Sequence, residues 1–147
     1  MKIDLRIKKL RENAVVPTYG SEFSAGADLY AAIDEEIVIA PGETKLIPTG
    51  LAFEIPEGYA GFVYARSGLA TKRGLAPANK VGVIDSDYRG EVMTALHNHG
   101  SESQKIEKGE RIAQMVIAPY VTASFILSES LDDTERGEGG FGSTGRK

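Results

Sequence analysis

Cysteine is absent from the 147 residues, aromatic residues are few, and histidine occurs only twice. Without a thiol there is no disulfide framework, no thiolate zinc site and no cysteine nucleophile. His97 and His99 have no third histidine to complete a zinc set, so they read as ordinary strand residues. Long apolar runs are also missing, so no segment reaches membrane-spanning length. The opening Met1-Lys2-Ile3-Asp4-Leu5-Arg6 lacks the hydrophobic block of a signal peptide. A cytoplasmic protein is the expectation. Positive charge is not in excess. A formal net charge of −4 argues against a general nucleic-acid binder, which needs a basic face. It leaves room for a small anionic ligand held by a few local arginines.

What is present is a domain's worth of short strands and turns. The length suffices for one domain with a core. Ile3, Leu5 and Ile7 alternate with polar residues, which reads as a half-buried strand. Further strands are expected at Glu36–Ile39, Lys45–Ile47, Leu51–Ile55, Tyr59–Tyr64, Glu91–Leu96, Ile112–Ile117 and Val121–Leu127. Turn signals such as Pro41-Gly42 and Pro56-Glu57-Gly58 separate them at the spacing of an all-β sandwich or barrel. Helix is expected only at Ser67–Arg73, stopped by Gly74, with Ser67 able to serve as its N-cap or to face a phosphate.

Val83-Ile84-Asp85-Ser86-Asp87-Tyr88 carries the most chemistry. A β-branched pair runs into a carboxylate, a phenol and the turn Arg89-Gly90. Such an arrangement can place a small molecule against a general base. From position alone Asp85 and Asp87 read first as turn residues, with a paired metal site, or one base plus a structural partner, as the competing readings. Arg66-Ser67-Gly68 lies where a strand meets the helix, where free N–H groups favour phosphate. Asp28 opens a strand and could orient an arginine or a metal-bound water.

From Arg136 onward the chain is Gly-rich. Such a run can crowd backbone N–H groups around an anion. Arg136 adds a planar charged fork, Ser143 and Thr144 add hydroxyls, and Phe141 offers a face for a base. An idle linker has similar composition. Gly137 and Gly142 mimic a phosphate-binding P-loop, but Ser143 takes the lysine position and no helix can follow.

Five segments in order, SAGADLYA from Ser24, RSGLA from Arg66, GVIDSDYRGEV from Gly82, RIAQMVI from Arg111 and RGEGGFGSTG from Arg136, resemble the motifs of the trimeric dUTP diphosphatases (dUTPases). The resemblance implies an all-β, jelly-roll or β-clip type distorted barrel over residues 1–130. Residues 131–147 would form a flexible arm that closes an active site. It implies a homotrimer with shared sites, and Mg²⁺-dependent hydrolysis of dUTP to dUMP and diphosphate, which limits uracil incorporation into DNA and supplies dUMP for dTMP synthesis. Asp85 would be the general base and Tyr88 would pack under the deoxyribose. Asn79, Val83, Ile84 and Met93 would read uracil. Arg66, Ser67 and Gly68 would hold phosphates. Arg136, Gly142, Ser143 and Thr144 would close on the γ-phosphate, and Phe141 would stack on the base. No protein group would bind the metal directly; Asp28 and Gln114 would act in the shell beyond it. No nucleic acid or membrane partner is implied. Three rivals are a dCTP deaminase-like enzyme, a non-catalytic nucleotide-binding module and a purely structural jelly roll of the capsid type, which would leave the Arg, Phe and Ser/Thr of the tail unexplained. The deaminase uses a Glu where this chain has Asp85, and Arg-Ser-Ser where it has Arg-Ser-Gly.

Overall fold

The computed structural model describes residues 2–141. Its twelve strands pair antiparallel throughout. In chain order they are β1 (Arg6–Lys9), β2 (Thr18–Tyr19), β3 (Ala27–Tyr30), β4 (Ile37–Ile39), β5 (Thr44–Pro48), β6 (Leu51–Glu54) and β7 (Tyr59–Tyr64). After the helix α1 (Ser67–Arg73) come β8 (Leu75–Pro77), β9 (Gly82–Ile84), β10 (Met93–Asn98), β11 (Gln104–Ile106) and β12 (Arg111–Pro119). They form four ladders, β1-β6, β5-β10-β8, β11-β4 and β2-β3-β12-β7-β9. The architecture is mostly β with one short helix, of the jelly-roll type, and the ladders do not close into a continuous barrel.

Two apolar clusters fill the interior. One joins Leu29, Leu51, Phe53, Val63 and Met115; the other joins Ile39, Ile47, Leu75, Leu96, Ile106 and Ile112. Removing each such side chain from water contributes about 1.5–3 kcal/mol, enough in sum to fix strands this short. The second cluster also takes Leu69 from α1. A seven-residue helix is not stable alone, and Leu69 anchors its buried side. Arg73 anchors its end, donating to Gln104 Oε1, Glu110 Oε1 and Lys105 O.

Several local expectations change. The first strand begins at Arg6, not Ile3. Ser67 is not the N-cap. Arg66 occupies that position with an extended backbone, and no side chain caps the helix. Val121–Leu127 is not a strand. Val121, Phe125, Ile126 and Leu127 are instead 86–101% exposed. Tyr120 N still donates to Gly58 O at 3.1 Å, and the chain leaves the body there. His97 lies in β10, its Nδ1 2.8 Å from Thr44 Oγ1, while His99 follows the strand.

Candidate active site

The five-stranded ladder sets one half of the site. Thr18, Asp28, Gln114 and Tyr64 are register partners in a row across β2, β3, β12 and β7. Cross-strand partners project to the same face, so Asp28, Gln114 and Tyr64 line one cavity, together with Gly26, Arg66 and Arg111. Arg111 and Gln114 are three apart and would point to opposite faces of a regular strand. A bulge between Arg111 and Ala113 adds one residue and reverses that parity. Both side chains then reach the same cavity. The family motifs in the sequence include Arg111, but strand periodicity does not place it in the site. Only the bulge does.

Charge is concentrated on one buried carboxylate. Asp28 Oδ1 accepts from Arg66 Nε at 2.7 Å and Oδ2 from Arg111 Nη1 at 3.2 Å. The Asp28 side chain is 13% exposed against 23% for Arg66 and 52% for Arg111. Asp28 thus fixes two guanidinium groups, and Arg66 Nη1 also donates to Arg111 O at 3.4 Å. Ser67 and Gly68 are exposed at the rim. The Ser67 hydroxyl makes no cap to the helix and stays available to a ligand. Gln114 Nε2 donates to Ala65 O at 2.9 Å. Its amide lies so close to Gly26 that a Cβ there would stand 2.4 Å from Gln114 Oε1. Glycine is needed for that approach. Cationic and amide donors fit phosphate oxygens. Both Asp28 oxygens are taken by arginines, and among the described residues no three His, Cys, Asp or Glu side chains converge on a metal position.

The other half lies elsewhere. Asp85 follows β9, exposed, and lines a separate cavity of about 860 Å³ with Glu54, Glu57, Arg89 and Tyr120. Tyr88 N donates to Asp85 O at 3.2 Å, closing a turn, and Arg89 Nη1 donates to Ser86 O at 2.6 Å across it. The Tyr88 ring folds over Gly90, where a Cβ would sit 2.4 Å from the phenol oxygen. The phenol donates to Glu91 O at 3.0 Å. Asn79 sits in the turn before β9, and Val83 and Met93 are 58% and 38% exposed on β9 and β10. Ile84 is half-buried and packs on the first apolar cluster.

Within one chain these halves do not meet. Ile84 pairs with Gly61 and Gly82 with Val63, so β9 runs away from the Arg66 end of β7. Continued one residue past Ile84, that register sets Asp85 at the level of Ala60. From there to Arg66 is about 20 Å at the rise of an extended chain. The third group, the arm, is folded on itself. Arg136 Nε donates to Gly139 O at 2.7 Å, Gly137 N donates to Thr134 O at 3.1 Å, and Phe141 is fully exposed. Gly142, Ser143 and Thr144 lie outside the described residues.

Residues 12–145 match the dUTPase family model. The chain is 55% identical to a deoxyuridine 5'-triphosphate nucleotidohydrolase of Nautilia profundicola, over 97% of this chain and 99% of the relative. It is 52% identical to the same-named protein of Desulfitobacterium hafniense, over 97% of each. Among solved structures it resembles the dUTPase of Staphylococcus bacteriophage 80alpha with dUpNHpp, with a TM-score of 0.90 and 34% identity over 98% of this chain and 99% of that one. It also resembles a variant dUTPase from phage phi11 of S. aureus, described with a structural Mg(II) ion, with a TM-score of 0.79 and 28% identity over 87% of this chain and 98% of that one.

Proposed function

The chain belongs to the dUTPase family, and on that premise we propose that it hydrolyses dUTP to dUMP and diphosphate in sites completed by several copies of itself. The observation that carries the shared site is the separation of Asp85 from Arg66. Both groups must touch one phosphoryl region, and about 20 Å of strand stands between them. A second copy supplies the missing half. The apolar side chains of Val121, Phe125, Ile126, Leu127 and Leu131, exposed in the isolated chain, support a docking role for this segment. Large apolar side chains left exposed along one segment are the raw material of an interaction site. A homotrimer with three such sites, built from bodies of residues 1–130 and arms of residues 131–147, fits that surface. A cytoplasmic setting belongs to the same proposal.

Each half then has a task. Asp85 accepts a proton from water as the water oxygen attacks the α-phosphorus. The bond from that phosphorus to the bridging oxygen breaks, and diphosphate leaves. The reaction depends more on positioning and charge neutralisation than on covalent help. Arg66, set by Asp28, and Ser67 and Gly68 beside it hold the phosphates. Asn79, Val83, Ile84 and Met93 border the uracil. Tyr88 packs under the sugar and leaves no room for a 2′-hydroxyl. Arg136, Phe141, Gly142, Ser143 and Thr144 close over the substrate and exclude bulk water. Mg²⁺, when bound on the triphosphate, neutralises charge there. Gln114 Oε1 is the group that would hold one of its waters, and Asp28 acts through Arg66.

The test is diphosphate release from dUTP, dCTP, dTTP and UTP, with and without Mg²⁺. Turnover of dUTP alone, with Mg²⁺, is expected. Equal use of UTP, or ammonia release from dCTP, would overturn the reading.

A further inference from the structure

The loop carrying Tyr88 is clasped from outside by a residue far away in sequence. Arg11 stands in the turn after β1, fixed there by Leu10 N donating to Gly50 O at 2.7 Å and by Ala14 N donating to Arg11 O at 3.2 Å. Its guanidinium reaches Glu91 at the exit of the loop. Arg11 Nε lies 2.8 Å from Glu91 Oε1 and Nη2 lies 3.3 Å from Oε2. Gly50 N donates to the same Oε1 at 2.8 Å. Two-point contacts of a guanidinium with a carboxylate fix orientation as well as distance. The Glu91 side chain is 14% exposed, so bulk water screens this pair only in part.

The main chain of Glu91 is what matters for the site. Its carbonyl accepts the Tyr88 phenol, and Gly90, between them, lets the ring lie over the backbone. The ring is therefore held at two ends. The backbone end is set by the turn at Asp85, and the phenol end is set by Glu91. The following residue, Val92, is held by Leu51 and Thr49. Glu91 precedes that anchor and is fixed through its side chain.

We propose that the Arg11–Glu91 clasp is a positioning device for Tyr88 and thereby sets the preference for the 2′-deoxy sugar. This rests on the reading of Tyr88 as the sugar-facing residue. A small displacement of a positioning group can alter rates strongly. Discrimination against one hydroxyl depends on the ring's height over the sugar, so it responds to the clasp before overall turnover does. Neither Arg11 nor Glu91 need touch the nucleotide.

The experiment measures kcat/KM for dUTP and for UTP in the wild type and in Arg11→Ala, Arg11→Lys, Glu91→Gln, Tyr88→Phe and Tyr88→Ala, with a thermal melt of each. Arg11→Ala and Glu91→Gln are expected to lower the dUTP-to-UTP ratio by about fivefold, the scale of a partly exposed ion pair. Arg11→Lys should recover part of the loss. Tyr88→Phe should lower the ratio similarly, and adding Arg11→Ala to it should change little more, because both act on one contact. If Tyr88→Ala collapses the ratio while the Arg11 and Glu91 variants keep it, the clasp is not the device and the reading of Tyr88 survives. If Tyr88→Ala keeps the ratio, that reading falls and the inference with it. A clasp that serves only stability would lower the melting temperature and affect both substrates equally.

Discussion

Mixing two inactive variants should restore activity. Asp85→Asn removes the proposed base, and Arg66→Ala removes a group proposed to hold phosphate. The β7–β9 register, Gly61 opposite Ile84, sets the two residues about 20 Å apart in one chain. A base and a phosphate-binding donor each work within about 3 Å of the reacting group. One chain cannot satisfy both. In a mixed oligomer, a site works when its Asp85 comes from an Arg66→Ala chain and its Arg66 from an Asp85→Asn chain. Each condition holds for half the chains in an equal, random mixture, so about a quarter of the wild-type rate should return in a closed symmetric assembly. The assay is diphosphate release after the variants are refolded together, with separately tagged chains to verify that mixed oligomers formed. A mixed sample no more active than its parents would place both residues in one chain's site and refute the argument.

Asp28→Asn keeps the shape but loses the charge that fixes Arg66 and Arg111. A charge-assisted hydrogen bond contributes about 2 kcal/mol, so the melting temperature should fall by several degrees, and kcat/KM for dUTP, measured well below the melt, should fall about 30-fold; an unchanged rate would remove Asp28 from the site. Ending the chain before Arg136 should leave folding and association intact, measured by sedimentation, and reduce turnover by at least about 100-fold, as for the loss of a charge-stabilising donor. The Arg11 guanidinium, then burial opposing it and the Gly50 N–H assisting, hold the Glu91 carboxyl below its usual range. A depressed carboxylate pKa adds stability that is complete above the ordinary value of about 4.3 and is lost as pH falls through the depressed one. The stability gap between wild type and Glu91→Gln should therefore be constant near neutrality and close in acid, as denaturant melts across pH would report.

The strands and the helix were legible because their signals are local. Leu69, Ala70 and Lys72 favour helix, and Gly74 ends it at φ 65°. The cap is one residue earlier than composition suggests, because Arg66, not Ser67, takes the extended conformation there. Val121–Leu127 has strand composition, but among the described residues it has no neighbour to pair with. Composition cannot supply a missing hydrogen-bonding partner. The motif residues of the site could be named one by one. Their division between two ends of a sheet could not, since it depends on which residue of β9 faces which residue of β7. The place of Arg111 was hidden for a related reason, because a bulge leaves no mark in periodicity.

That bulge makes spacing matter more than identity along this edge. Ile112 is the extra residue, and it swings Arg111 round to join Gln114 on the cavity they both line. Another buried aliphatic could replace Ile112 with modest effect. Shortening the segment by one would leave every side-chain type in place yet turn one of the two away, so here the chain's length acts as a functional group.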